Sequence, residues 1–397
     1  MRIVFITSKL NFTKSGGSIE EIDFIIRTLQ KQGNEVTVVT AYSSANHIPD
    51  SLPYPVIPEQ IKSTGYLGVQ REVFALLKKY SGQADWFHID AHLFMYGAGL
   101  WRLLGGKVPI VAFFNQFLTC WPQYISSLFP QPRQNLGCRV KEKLRWCVER
   151  VFGMFLANRI DLFSFVSPTL RGMYEDFGLQ TNEKNTIVIG DPINFKKIAT
   201  DNGITPDSYA FRNKHSGPIT IFYSSRMSPG KGFDILLKGF SLVKNKENFK
   251  VILGGTGPEE QYVRQMAKDL GLEKYVEIPG WVTKEQLYTY YKTADIFIQA
   301  DWWPAGTSIS LLYALAFGLP SILPGGGGLQ WNAQSGALYF TYRDCADLAE
   351  KIEELGSNHA LREELSRNCF RRLAADDMRY EDLIGALGEK MKVLFPK

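Results

Sequence analysis

The 397-residue chain is predicted to be an α/β protein with two doubly wound parallel-sheet domains. Short strand patterns alternate with amphipathic helix patterns in both halves of the chain, which is typical of a parallel sheet covered by helices on both faces. A polar, aperiodic stretch at 201–217 separates the halves and indicates a linker. A hydrophobic fraction of 45% is enough for two cores. We therefore expect one domain at 1–200 and a second at 218–376.

The first half opens with a strand, a glycine loop and a helix. Ile3–Thr7 is a β-branched run, and Gly33 is expected to end the helix predicted at Ser18–Gln32. The apolar stripe of this helix consists of Ile22, Ile25, Ile26 and Leu29. After the next strand, Val36–Thr40, no acidic residue follows, and the Gly-x-Gly-x-x-Gly spacing of dinucleotide sites is absent. An NAD-dependent enzyme is therefore disfavoured.

Two later strands of this half end in polar residues. The strand that begins at Asp85 contains His88 and leads into a loop with His92. Two histidines four residues apart bind metal from one face of a helix, but this pattern indicates a strand and no third ligand is near. We predict no metal site, a structural His88, and a His92 that faces the site. The next strand, Val108–Phe114, ends before Asn115.

The segment 132–159 combines cations with apolar residues at helical spacing. Its cations are Arg133, Arg139, Lys141, Lys143, Arg145, Arg150 and Arg159. One hypothesis is an amphipathic helix that packs on the first domain and exposes a solvated basic face. The other is a surface that docks on anionic lipid or on a lipid diphosphate acceptor. The cysteines Cys120, Cys138 and Cys147 lack C-x-x-C spacing, so zinc is not predicted.

The second half has three strand-to-helix loops. The loop after the strand at Ile219 contains Arg226 and Lys231, and the loop after the second strand begins Gly254-Gly255-Thr256-Gly257. A third loop, 300–308, follows the strand Asp295–Gln299. Such loops direct backbone N–H groups and helix N-termini at an anion, and Arg with Lys neutralises it. The pattern predicts a nucleoside diphosphate site.

In this order, the loops resemble those of retaining glycosyltransferases with the GT-B fold, the family-four group. The resemblance rests on the spacing of Arg226 and Lys231 and on the turn Gly255-Thr256-Gly257-Pro258-Glu259. It rests also on Gly280-Trp281-Val282 and on Leu312–Pro320, which matches Leu-x-Ala-x-Ala-x-Gly-x-Pro. It extends over nearly all of the chain. It implies two facing Rossmann-like domains, an interdomain cleft, and a last helix, 377–397, that packs back on the first domain.

The resemblance also implies an activity and a set of contacts. A hexose would move from a nucleoside diphosphate sugar, such as a UDP sugar, to an acceptor hydroxyl, with retention and without metal or another cofactor. The donor diphosphate is expected to contact Arg226, Lys231, Gly16, Gly17, Gly306, Thr307 and Ser308. The nucleoside is expected to contact Gly255, Thr256, Trp281, Val282 and Tyr313. The acceptor class would be a glycan or a lipid-linked molecule in cell-surface polysaccharide or glycolipid assembly.

Three positions depart from the family's pattern. Asn115 stands where the family has a histidine, and an amide can hydrogen-bond a sugar hydroxyl but cannot shuttle a proton. Ala305 and Tyr313 stand where the family has two glutamates. Asp301, four residues before Ala305, is the expected replacement carboxylate, so Asp301, Asn115 and His92 are the predicted catalytic residues. The alternative is a catalytically silent GT-B subunit that binds a nucleotide or a partner.

Composition narrows the remaining classes. A net charge of +5 is too small to indicate nucleic acid binding, and five cysteines do not suggest a disulfide framework. No apolar run has the length of a spanning helix, and the first residues lack the features of a signal peptide. We therefore expect a cytoplasmic protein, peripheral on the inner face of the membrane if segment 132–159 docks there. A GT-B sugar-nucleotide 2-epimerase is disfavoured because the site loops are poor in carboxylates and histidines.

Overall fold

The computed structural model describes residues 1–13, 18–116, 136–209, 217–302 and 306–395. The chain divides into two compact units, one formed by Met1–Pro192 with Tyr380–Lys397 and the other by Ile193–Arg379. Each unit has a parallel sheet with interleaved helices, so the predicted fold class is confirmed. The first unit ends at Pro192 and not at residue 200, because the next helix packs within the second unit. The predicted site residues Gly16 and Gly17, and the altered position Ala305, lie outside the described residues.

The first unit is built on a seven-stranded parallel sheet with the order β3-β2-β1-β4-β5-β6-β7. The strands are β1 (Arg2–Thr7), β2 (Glu35–Thr40), β3 (Val56–Pro58), β4 (Trp86–Asp90), β5 (Ile110–Phe114), β6 (Leu162–Phe165) and β7 (Thr186–Val188). Every residue of β4, β5 and β6 is buried, as expected where helices cover both faces. The strand order reverses between β1 and β4, and ligands of open α/β sheets bind beyond the carboxyl ends of strands at such a point.

Seven helices described in the first unit cover this sheet. They are α1 (Ser18–Lys31), α2 (Tyr66–Tyr80), α3 (Ala91–Leu103), α4 (Leu136–Val148), α5 (Met154–Ala157), α6 (Pro168–Phe177) and, from the end of the chain, α15 (Tyr380–Leu394). A π-helical turn, Glu149–Gly153, joins α4 to α5. The last helix belongs to this unit because α15 packs on α1.

The helix α1 follows its predicted pattern. Its apolar stripe is buried, and Gly33, two residues beyond the helix, has the left-handed φ of 80° that favours glycine. One residue on the buried side is charged: Glu21 is only 2% exposed although it lies in the first turn. The sequence pattern therefore predicts the helix correctly but not the environment of Glu21.

The second unit has a six-stranded parallel sheet with the order β10-β9-β8-β11-β12-β13. Its strands are β8 (Ile219–Ser224), β9 (Phe249–Gly254), β10 (Val276–Gly280), β11 (Ile296–Ile298), β12 (Ser321–Pro324) and β13 (Ala337–Phe340). The helices around it are α7 (Phe195–Asp201), α8 (Phe233–Leu242), α9 (Glu260–Asp269), α10 (Lys284–Thr293), α11 (Ile309–Ala316), α12 (Gly327–Ala333), α13 (Cys345–Ser357) and α14 (His359–Leu373). The order reverses between β8 and β11. The three loops singled out in the sequence follow β8, β9 and β11, at the carboxyl edge of this sheet.

Candidate functional site

The loops after β8 and β9 are hydrogen-bonded to each other at the carboxyl edge of the second sheet. The N–H of Met227 donates to the carbonyl of Thr256 at 2.9 Å. A Cβ atom at Gly255 would lie 1.9 Å from the carbonyl oxygen of Ser225, and one at Gly257 would lie 2.2 Å from that of Met227. Their φ angles of 119° and 158° also disfavour other residues. Glycine is therefore required for the close approach of these two loops.

Lys231 lies in the loop after β8 and pairs with the loop after β11. Its Nζ atom is 3.0 Å from Oδ2 of Asp301, a residue that is 9% exposed. The hydroxyl of Tyr223 donates to Oδ1 of the same carboxylate at 3.1 Å. Burial and the charge of Asp301 raise the pKa of Tyr223, so this hydroxyl stays a donor. Two residues that the sequence assigned separately, to diphosphate binding and to catalysis, are thus an ion pair.

Arg226 contrasts with Lys231. Its side chain is exposed, and within the described part of the chain it makes no hydrogen bond or ion pair. Within the described residues, the loop after β8 therefore presents a guanidinium without a partner and an ammonium that is compensated by a carboxylate. A guanidinium with all its donors available suits bidentate recognition of phosphate oxygens.

The loop after β11 is hydrogen-bonded to the loop after β8. The N–H of Trp302 donates to the carbonyl of Gly230 at 2.9 Å. Further along, Ser308 is the N-cap of α11, because its Oγ accepts a hydrogen bond from the backbone N–H three residues later at 3.4 Å. Gly306 and Thr307, which precede it, are half-buried. These predicted diphosphate contacts thus stand at the start of a helix, whose free N–H groups favour anions.

Four of the predicted nucleoside contacts, Gly255, Thr256, Trp281 and Val282, lie in two neighbouring segments. The N–H of Gly255 donates to the carbonyl of Gly280 at 2.7 Å, which places the Gly255-Thr256 turn beside the segment that follows β10. In that segment Trp281 is 55% exposed and Val282 is half-buried. An indole with this exposure offers a flat apolar surface and one N–H donor.

Tyr313 is placed differently from the other nucleoside candidates. Its ring is 5% exposed and packs in the core of the second unit, with centroids 5.6 Å from Tyr288 and 5.9 Å from Tyr291. Tyr313 therefore contributes an aromatic contact to the core, and its contact with a nucleoside stays a prediction.

In the first unit, the predicted loop after β4 is wrong, because α3 begins at Ala91 and His92 is its second residue. His92 is half-buried, and its Nδ1 has no hydrogen-bond partner among the described residues. Burial lowers the pKa of His92, although the neighbouring Asp90 opposes this. His88 is structural, as expected: its ring stacks on Phe5 at 4.2 Å, and burial lowers its pKa to about 3.

Asn115 follows β5 directly and is half-buried. Its Oδ1 atom has no hydrogen-bond partner among the described residues. Burial and the charge of Asp191 raise the pKa of Glu21, a buried residue of α1. Three buried carboxyl residues near this place, Glu21, Asp191 and Asp90 at the end of β4, are not predicted by the sequence pattern. The burial of Glu21 could have been predicted, since it lies four residues before Ile25 on the apolar stripe of α1.

The basic segment exposes apolar side chains instead of burying them. The exposed set, here called the α4–α5 face, consists of Val140, Leu144, Val148, Val151, Phe152 and Phe155, with exposures between 48% and 67%. Lys141, Lys143 and Arg150 are exposed on the same segment. The hypothesis of an apolar stripe packed on the first domain is therefore wrong for Val140, Leu144, Val148, Val151 and Phe155, whereas Met154 of the same predicted stripe is buried.

The described residues include neither a helix that could span a membrane nor a side-chain cluster that could hold a metal ion. No described helix has both the length and the apolar character needed to cross a membrane. In the same residues, no group of three or more His, Cys, Asp and Glu side chains has an arrangement that could hold a metal ion.

Both units match known sequence families. Residues 22–195 match the family described as Glycosyltransferase Family 4, and residues 207–372 match Glycosyl transferases group 1. A curated relative is the alpha-monoglucosyldiacylglycerol synthase of Streptococcus pneumoniae, 24% identical over 87% of this chain and 77% of that protein. The mannosylfructose-phosphate synthase of Agrobacterium fabrum is 27% identical over 40% of this chain and 36% of its own length.

Solved structures share the fold at lower identity. The sucrose-phosphate synthase of Thermosynechococcus elongatus has a TM-score of 0.74 at 17% identity, covering 100% of this chain and 99% of that one. HepE of Anabaena, solved in complex with UDP, has a TM-score of 0.69 at 17% identity, covering 99% and 100%. At such identities the likeness shows the fold alone.

Proposed function

Because the chain belongs to the family-four type of GT-B glycosyltransferases, we propose that it transfers a hexose from a nucleoside diphosphate sugar to an acceptor hydroxyl. We propose further that the anomeric configuration is retained and that no metal is needed. The observation that most supports this function is the pair Arg226 and Lys231 at the carboxyl end of β8, beside a turn that only glycine can form. Fixed cations and backbone N–H groups can stabilise a diphosphate leaving group by themselves.

Donor binding changes the partner of Lys231 in this proposal. A diphosphate carries more charge than the carboxylate of Asp301, so it competes for the ammonium group that Asp301 holds at 3.0 Å. The carboxylate then retains its bond from Tyr223 and is free of its cation. We propose that it takes the place of the carboxylate missing at position 305 and contacts the reacting sugar. Arg226 needs no such exchange and binds phosphate oxygens directly.

In this proposal two residues of the first unit, Asn115 and His92, hydrogen-bond hydroxyl groups of the sugar. The Oδ1 atom of Asn115 has no partner among the described residues and can accept a hydrogen bond from a sugar hydroxyl. His92, kept neutral by burial, can donate from one ring nitrogen and accept at the other. Both therefore suit positioning of a neutral polyol.

We propose a glycan or lipid-linked acceptor and a peripheral position on the inner face of a membrane. The α4–α5 face supports this, since Leu144 is 65% and Phe152 is 67% exposed with cations on the same segment. A helix with exposed apolar and basic side chains binds at the interface of anionic lipid. The name of the pneumococcal relative, a glucosyldiacylglycerol synthase, agrees with an acceptor in a lipid layer.

The activity is tested by nucleotide release. The purified protein is incubated with UDP, GDP and dTDP sugars, with and without a lipid extract that contains diacylglycerol and polyprenyl phosphate sugars. UDP sugars are tested first because HepE binds UDP. Acceptor-dependent release of one nucleotide is the expected result. Nucleotide binding without release from any donor would support the catalytically silent alternative.

The proposed catalytic carboxylate has a separate test. Asp301→Asn should lower turnover while the nucleotide itself still binds, because the amide keeps the size of the side chain and loses its charge. Asp269→Asn, an exposed change at the end of α9, is the matched control. An active enzyme whose turnover is the same in Asp301→Asn and in the control would show that Asp301 is not catalytic.

A further inference from the structure

The side chain of Trp302 joins the loop after β11 to the start of α8. Its Nε1 atom donates a hydrogen bond to Oδ1 of Asp234 at 3.0 Å. Asp234 lies in the first turn of α8, where the helix dipole favours a carboxylate, and its side chain is 17% exposed. The indole is therefore bonded to a group whose position is set by a helix.

The face of the same indole lies against a cation from another loop. The guanidinium carbon of Arg343 is 5.1 Å from the ring centroid, a distance at which a cation is attracted to an aromatic face. Arg343 has a left-handed φ of 62°, which residues other than glycine seldom adopt. The ring of Trp302 is thus held at its N–H edge by Asp234 and on its face by Arg343.

The backbone around Trp302 lies directly on the loop after β8. The N–H of Trp302 donates to the carbonyl of Gly230 at 2.9 Å. A Cβ atom at Gly232 would lie 1.8 Å from the carbonyl oxygen of Ala300, and the φ of Gly232 is 69°. Both main-chain and side-chain contacts therefore fix the residues on either side of Asp301.

Asp301 itself has two partners in this arrangement. Its Oδ2 atom is 3.0 Å from Nζ of Lys231, and its Oδ1 atom is 3.1 Å from the hydroxyl of Tyr223. Because Asp301 directly precedes Trp302 in the chain, the hydrogen bond of the indole restricts where the carboxylate can lie. The carboxylate is thus held from its own backbone as well as by Lys231.

We propose that Trp302 is a positioning residue: its indole N–H, bonded to Asp234, keeps the Asp301 carboxylate in place while Lys231 exchanges that carboxylate for the donor diphosphate. The contact of Asp301 with the reacting sugar rests on the proposed function, whereas the hold of Trp302 on the ion pair does not. On donor binding the cation moves and the carboxylate stays.

The proposal is tested by a change that affects binding and turnover in opposite directions. Trp302→Phe keeps an aromatic face for Arg343 and loses the N–H. A less fixed carboxylate competes less for Lys231, so UDP or GDP should bind about 2- to 5-fold more tightly by calorimetric titration. With the donor that gives turnover, kcat should fall about 10- to 100-fold, because the carboxylate is no longer held at the sugar. Nucleotide affinity that is unchanged or lower in Trp302→Phe would overturn the proposal.

Variants of the acceptor show whether the hydrogen bond itself is responsible. Asp234→Ala removes the acceptor and should behave like Trp302→Phe, whereas Asp234→Asn keeps an acceptor oxygen and should stay close to wild type. Equal effects of the two Asp234 variants would overturn the role of this bond. Trp331→Phe is the matched control, since this half-buried tryptophan of the same unit lies 5.9 Å from the guanidinium carbon of Arg372.

A measurement without substrate tests the hold on the ion pair alone. Asp301→Asn should lower the Tm of the wild type by about 2–4 °C, because it breaks a partly exposed ion pair. In the Trp302→Phe background the same change should lower Tm less than half as much, since the pair is already loosened. An equal lowering in both backgrounds, or none in either, would overturn the positioning role. If the wild type turns over no donor, the proposed function fails, and this comparison still decides whether Trp302 positions Asp301.

Discussion

Lys231 and Arg226 are both cations of one loop, yet only one of them gives a clean test of the site. Lys231→Ala would leave the buried carboxylate of Asp301 without its cation, and an uncompensated buried charge destabilises a protein strongly. The sequence suggests that loss of Lys231 spares the fold because the residue lies in a loop. The ion pair with Asp301 predicts a loss of stability instead. A loss of binding in Lys231→Ala could therefore come from a lost contact with the donor or from a less stable fold.

Arg226→Ala is the clean variant, because this exposed side chain has no partner in the described part of the chain. A charge-assisted hydrogen bond is worth roughly 1.5–3 kcal/mol, so UDP or GDP affinity should fall about 10- to 100-fold. Calorimetric titration measures this, and an unchanged Tm shows that the fold is intact. Arg264→Ala, exposed on α9, is the control. Equal affinity in Arg226→Ala and wild type would remove Arg226 from the diphosphate site.

His88 gives a prediction on acid stability. The folded state holds its ring between Phe5 and Phe113, where its pKa is about 3, whereas the unfolded chain binds a proton near the ordinary value of about 6.5. Stability is therefore lost as pH falls from about 6.5 towards about 3. His88→Leu, of similar volume, should shift the midpoint of acid unfolding to lower pH. Circular dichroism measures that midpoint, and His359→Leu, an exposed change, should leave it in place.

These residues also show where sequence reasoning stops. The motif spacing predicts Arg226, Lys231 and the glycine turn, because their chemistry is local to one loop. The partner of Lys231 is 70 positions away, and the charge of Asp191, which raises the pKa of Glu21, comes from 170 positions away. Such pairs are set by the register of parallel strands, which brings distant strand ends to one edge. A sequence pattern gives the residues but not which of them meet.

At the scale of elements, the segment 136–157 shows a different limit. Its 3.6-residue period predicts a helix, and the structure has α4, a π-helical turn and α5 there. The period does not tell whether the apolar stripe faces a core or solvent, because both arrangements have the same sequence pattern. Exposure of the α4–α5 face contradicts a packed stripe for these residues, and it does not test lipid docking. What the face binds remains a proposal.

Binding of the α4–α5 face to a membrane would have an electrostatic and an apolar contribution, and each can be measured. Lys143→Glu with Arg150→Glu should abolish binding to vesicles of anionic phospholipid, and wild-type binding should weaken as salt rises, since exposed charges are screened beyond roughly 10 Å at about 0.1 M. Phe152→Ser should weaken binding at every salt concentration, because it removes the apolar part. Co-sedimentation measures the wild type and the two variants with anionic vesicles, and neutral vesicles give the comparison.

The matched control for this experiment is Lys268→Glu with Lys274→Glu, which makes the same charge change on the second unit. Binding that is insensitive to salt, or lost equally in the control, would contradict docking through the α4–α5 face.

At the scale of the whole molecule, the two units were predictable because each repeats the strand–helix alternation. The residues at which the two units begin and end were less predictable. The helix α7 begins at Phe195, inside the predicted first domain, but it packs on α11 of the second unit. A polar linker composition marks where few contacts are made, and it does not mark which unit a short helix joins.

The assignment of α15 to the first unit gives the last prediction. Leu387 is 1% exposed on α15, and Leu237 is completely buried on α8 in the second unit. An aspartate at either place buries a carboxylate without a partner and removes apolar contacts, which costs several kcal/mol against a typical stability of about 5–15 kcal/mol. Leu387→Asp should therefore speed amide hydrogen exchange in peptides from 18–116, although these lie 271 to 369 positions away in sequence, and should leave peptides from 217–302 protected. Leu237→Asp should give the opposite pattern, and Leu242→Asp, at a position 54% exposed, should change neither. Equal loss of protection in both units from Leu387→Asp would mean that the chain unfolds as one cooperative body.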